Sequence, residues 1–145
     1  MVKERYRIYC EMVPGFYKWK EKKIFIKEAF KSDFSLLLVE LLHSKSITQG
    51  NSYIKPWISE GLPHFLAKVL CNKCNIDYSD SGHQIYFSIW AQLYNLHGIT
   101  KLRDILYVDD INVSIGKLKQ IFRYNYNDIL EISFEKAKDL LKFIY

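Results

Sequence analysis

The chain has 145 residues, 49% of them hydrophobic and 26% charged, with six Gly, three Pro and three Cys. That length carries one domain with a core of its own, and the composition excludes a disordered chain and, through scarce Gly and Pro, an all-β sandwich. The formal charge is +5 and no apolar run nears a membrane span, the longest (Leu36 to Val39) being cut by Glu40.

The positive charge is uneven. Residues 1–31 hold nine Lys/Arg against four Glu, whereas residues 32–145 hold twelve of each sign. The first segment, Met1-Val-Lys-Glu-Arg-Tyr-Arg, has no apolar stretch behind it and does not read as an export signal. An intracellular protein with reduced thiols is therefore expected. Tyr6, Ile8, Cys10 and Met12 alternate with Arg7, Tyr9 and Glu11, the period of a strand. Pro14-Gly15 is a turn pair, and Ile24 and Ile26 alternate with Lys23, Phe25 and Lys27. A β-hairpin or small sheet across residues 5–28 follows.

The rest of the chain reads as helices. Ser32 or Asp33 can cap a helix over 33–43 with Phe34, Leu37, Leu38, Leu41 and Leu42 at helical spacing. The polar stretch Ser44 to Ser52 is a loop. Pro63 suits the first turn of a helix that runs through Phe65, Leu66, Val69 and Leu70. Ser81 and Gln84 form a capping-box pattern before a helix through Ile85, Ile89, Leu93 and Leu96, stopped by Gly98. A short helix over 100–107 follows. Asp109 or Asp110 caps a helix with Ile111, Ile115, Leu118 and Phe122, and Ser133 opens the last, with Ala137, Leu140, Leu141 and Ile144. The expected fold is α+β and predominantly α: a basic hairpin unit (1–31) and a bundle of five or six helices (32–145), packed as one compact domain.

Three patterns carry chemistry. In Phe16-Tyr17-Lys18-Trp19-Lys20-Glu21-Lys22-Lys23, rings that can stack on bases interleave with lysines that can neutralise phosphates. Tyr17, Lys18, Trp19, Lys20, Lys22 and Lys23 are thus candidate nucleic-acid contacts. The alternative is a solvated hairpin whose rings cover the helical body. Tyr86, Trp90 and Tyr94 form a stripe at i, i+4, i+8 beside Ile85, Ile89 and Leu93. That helix is either central in the bundle or buried against a partner. Cys71 and Cys74, with His64 and His83 nearby, have donor types suited to zinc, but a second CxxC is missing. The alternative places Cys71 toward the core and Cys74 past the helix end, with no metal and no cofactor. No nucleophile elbow or Gly-rich phosphate loop is present, so a non-enzymatic protein is expected.

The stretch Gly61-Leu62-Pro63-His64-Phe65-Leu66-Ala67-Lys68-Val69-Leu70, followed by Cys74-Asn75-Ile76-Asp77, resembles the opening of the helical domain in subunits of the GINS replication complex. His64-Phe65 stands where that family has Leu-Trp. The resemblance implies a short, archaeal-type scaffold subunit joining fork proteins, with protein partners and a small β unit ahead of the helices. Two other binding readings stay open: a small helical, nucleic-acid-binding subunit of a CRISPR-type defence complex, and a viral or mobile-element inhibitor that fits a host protein's helical groove.

Overall fold

The computed structural model describes residues 15–18, 20–46, 54–79, 82–107 and 110–145, without the side chains of 16–18 and 30. The expected strand Tyr6–Val13, Trp19, the cap Ser81 and Asp109 lie outside these residues. An antiparallel hairpin pairs β1 (Gly15–Lys18) with β2 (Lys23–Ile26), in the register Gly15↔Ile26 to Lys18↔Lys23. Gly15 is therefore a strand residue rather than half of a turn. The hairpin reverses beyond Lys18, where Lys22 has a left-handed backbone (φ 52°).

Among the described residues seven α-helices follow: α1 (Phe34–Lys45), α2 (Pro56–Ser59), α3 (Gly61–Lys73), α4 (Phe87–His97), α5 (Ile99–Leu106), α6 (Ile111–Phe122) and α7 (Phe134–Ile144). Six exceed a single turn, and the chain is predominantly α with a small β element, as expected. The caps follow the sequence. Asp33 accepts from Leu36 N, Asp110 from Asn112 N and Ser133 from Lys136 N. Gly98, at φ 82°, makes the sharp joint between α4 and α5. The single turn α2, opened by Pro56, was not legible because it sits beside a polar loop and is too short for a period.

The core centres on two tryptophans. Trp57 and Trp90 stack with centroids 5.6 Å apart, and Phe122 meets Trp57 edge-on at 5.4 Å. Trp57 Nε1 donates to Ile132 O (2.8 Å), and Trp90 Nε1 donates to Trp57 O (2.7 Å). Both indoles thus bury a large apolar body with the one donor satisfied. Gly61 lets α3 approach this pair, since a Cβ there would lie 2.8 Å from Tyr86 Cβ and 3.1 Å from Trp90 Nε1. The hairpin packs on α1, and α1 packs on α3.

Two helix faces differ from expectation. In α1, Ser35, Val39 and Leu42 face inward, while Phe34 (67% exposed), Leu37 and Leu41 face outward. Helix α1 is apolar on both sides, and polar anchors choose its rotation. Buried Ser35 Oγ donates to Asp33 Oδ1 (2.7 Å) and lies 2.8 Å from Ser79 Oγ, while Ser79 Oγ donates to Asp33 Oδ2 (2.7 Å). Ahead of α4, a 3₁₀ turn (Gln84–Tyr86) replaces the start of the expected helix and leaves Ile85 outside. The inward face of α4 is Phe87, Ile89, Trp90 and Leu93, with Leu96 exposed. It merges the two expected stripes, because the largest ring takes the middle.

Replacing Trp90 with Ala should lower the unfolding free energy by about 3–5 kcal/mol in urea titration. Phe34→Ala, on the outward face of α1, should change it by less than about 0.5 kcal/mol. Equal losses would contradict the rotation described for α1.

Candidate metal centre

Helical spacing sets up the site. Glu60 sits between α2 and α3, and His64 follows at i+4 in the first turn of α3, so the two side chains share a face. His43 comes from the last turn of α1, which packs on α3. His83 comes from the segment just ahead of the 3₁₀ turn Gln84–Tyr86. The three imidazoles converge on one carboxylate oxygen of Glu60. Glu60 Oε2 lies 3.3 Å from His43 Nε2, 3.8 Å from His64 Nε2 and 3.8 Å from His83 Nε2.

Ring contacts fix the imidazoles. His64 is 8% exposed at the side chain and stacks on His83 (4.0 Å between centroids, 26° between planes). His43 meets His64 edge-on at 6.1 Å. His64 Nδ1 is 2.7 Å from Tyr78 Oη. When Nδ1 carries the hydrogen and donates it to Tyr78, the Nε2 lone pair faces Glu60.

Charge is distributed unequally. Burial opposes ionisation of Glu60, but the hydrogen bond from His43 and the neighbouring imidazoles hold its carboxyl below the usual range. Burial likewise opposes charge on His43, yet Glu60 and Glu40 raise its pKa. Burial, with the like charges of His83 and His43, lowers His64 to about 3. His43 is thus biased toward its charged form opposite Glu60, while His64 approaches Glu60 as a neutral base. Buried Glu40, one turn before His43, is pushed up by burial and by the charge of Glu60, against the lowering effect of His43.

Among the described residues, the donor group compact enough for one ion is His43, Glu60 and His64, all donor atoms within 4.8 Å of one another. An ion bound at ~2.0–2.2 Å from each would set neighbouring donors roughly 3–3.5 Å apart, so the 3.3 Å His43–Glu60 pair already fits and His64, at 3.8 Å from Glu60, would draw in slightly. Two imidazoles and a carboxylate suit borderline divalent transition metals. The deprotonated His64 is already in ligand form.

Of the zinc set considered from sequence, the fold brings His64 and His83 together and leaves the cysteines out. Cys71 is buried and Cys74 exposed just past the end of α3. His64 and Cys71 are seven residues apart on one helix, ~10 Å along its axis. A tetrahedral His64–Cys71–Cys74–His83 site is therefore not formed. Spacing had missed His43 and Glu60, although Glu40-x-x-His43 and Glu60-x-x-x-His64 each place a carboxylate and an imidazole on one helix face.

The other candidates fall elsewhere. Trp90 is fully buried and cannot touch a partner, a correction to its reading as a partner contact. Tyr86 and Tyr94 are half-buried, Tyr86 edge-on to Phe134 (5.2 Å) and Tyr94 to Phe65 (6.0 Å). Lys20, Lys22 and Lys23 are exposed around the hairpin turn. Tyr17 and Lys18 lie in β1. All residues from Gly61 to Ala67 are buried, so the GINS-like stretch is also the central packing helix. Compared with protein-family models, curated proteins and solved structures, the chain matches none.

In a Cys10→Ser background, a thiol reagent should modify Cys74 rapidly and Cys71 only after unfolding. Added zinc should leave the Cys74 rate unchanged. Protection of Cys74 by zinc would restore the cysteine site.

Proposed function

We propose that this chain binds a divalent transition-metal ion of the zinc class through His43, Glu60 and His64, as part of a non-enzymatic binding subunit. The observation that supports it most directly is the meeting of three donor atoms from α1 and the α2–α3 junction. The ion would clasp α1 to α3, with Tyr78 fixing the His64 tautomer. Titration of the chelator-treated protein with zinc should show one equivalent bound. His43→Ala, Glu60→Ala and His64→Ala should each weaken binding at least tenfold, and Tyr78→Phe by about tenfold. Zinc at about 100 times Kd should add about 2.7 kcal/mol of stability, read as a raised Tm. Wild-type affinity in His64→Ala, or a loss in Cys71→Ser/Cys74→Ser, would overturn the assignment.

A second reading concerns the partner. Lys20, Lys22, Lys23, Lys27 and Lys31 are all exposed on and just after the hairpin, which supports a nucleic-acid contact there. The wider role we propose is that of a subunit in nucleic-acid metabolism, a GINS-like replication subunit ahead of a CRISPR-type one or a viral inhibitor. Binding to single-stranded DNA or RNA should weaken with salt. Lys20→Ala/Lys22→Ala/Lys23→Ala should cut the salt slope by roughly two. An unchanged slope would remove the hairpin from the contact.

A further inference from the structure

We infer, resting on that ion-binding reading, that the metal centre is open: the protein supplies three ligands, and a solvent-facing position holds water that a small monodentate anion can displace. The reason lies in the placement of His83. An imidazole donates along a lone pair in the plane of its ring. His83 and His64 are stacked 4.0 Å apart and within 26° of parallel, and each presents Nε2 to Glu60 Oε2 at 3.8 Å. Their Nε2 lone pairs therefore run side by side. One ion ~2.0–2.1 Å from both nitrogens would need them to converge. His64 is the more deeply held of the two, by the Tyr78 hydroxyl and by burial. It keeps the ligand role, and His83 flanks the ion as a neighbour.

The remaining side faces solvent. The side chains of Glu60 and His83 are 38% and 29% exposed, against 8% for His64. Buried Glu40 lies outside the compact donor group and does not fill the position. The resulting set, two histidines and one carboxylate with a vacancy, has the donor number of centres that accept an exogenous ligand rather than of closed four-ligand structural sites. His83 then stands where it can donate a hydrogen bond to the bound water or anion.

Cobalt(II) substitution tests this in the full chain. The cobalt protein should show visible d–d bands, and azide should shift them saturably as it displaces the bound water. His83→Ala should change cobalt affinity by less than roughly threefold, while His64→Ala should lower it tenfold or more. Bands indifferent to azide, together with a tenfold loss in His83→Ala, would overturn the open site while leaving ion binding intact. Absence of any cobalt spectrum at saturating metal would overturn both.

Discussion

The stacked Trp57–Trp90 pair is the contact on which the rest of the molecule depends. Each indole contributes a large apolar surface and donates its N–H to a backbone carbonyl of another segment. One bond ties α2 to the segment just ahead of α7, the other ties α4 back to α2. Lys55 N donates to Leu130 O (2.8 Å) and reinforces the first tie. Such bonds fix register as well as distance, since a one-residue slip of α2 would leave two buried donors unpaired. Packing at Gly61 then brings α3 against Tyr86 and Trp90 with no side chain between.

That arrangement places the residues of the candidate metal centre. Glu60 immediately precedes Gly61, so the helix that must approach the tryptophans also carries Glu60 and His64 to a fixed position. His43 arrives with α1, whose rotation is set by the Asp33–Ser35–Ser79 hydrogen bonds rather than by its leucines. The same bonds hold down the segment that carries Tyr78. Site geometry therefore follows from the core and from one polar latch, and none of its imidazoles has to secure the fold on its own.

Much of the fold was legible because its signals are local. Caps at Asp33, Asp110 and Ser133, and the stop at Gly98, are read from neighbouring residues and hold. The rotation of α1 was not legible, because five apolar residues on its expected stripe outvote a serine whose partner lies 44 residues away. The start of α4 shifted for a similar reason: the deep slot for Trp90 belongs to another part of the chain. For the site, the cysteine spacing points to α3 and names His64 and His83, two rings that the fold stacks together. It could not supply His43 and Glu60, which reach the cluster through tertiary packing. Among the described residues no helix is long and apolar enough to cross a membrane.

The cluster is difficult to explain as a stabilising device. A buried ion pair often contributes no more than well-packed apolar residues of equal volume. Here one carboxylate faces three imidazoles, and their mutual repulsion and burial hold His64 neutral down to about pH 3. A neutral imidazole directed at a carboxylate gains little attraction, and the second ring stacked beside it adds a like charge whenever it is protonated. Apolar residues at positions 43, 64 and 83 would serve the fold at least as well. A divalent cation changes the balance, since it attracts the carboxylate and the imidazole lone pairs at once and uses the neutral state that burial imposes on His64. The features that oppose protonation there are the same ones that would favour a metal ion at the proposed site.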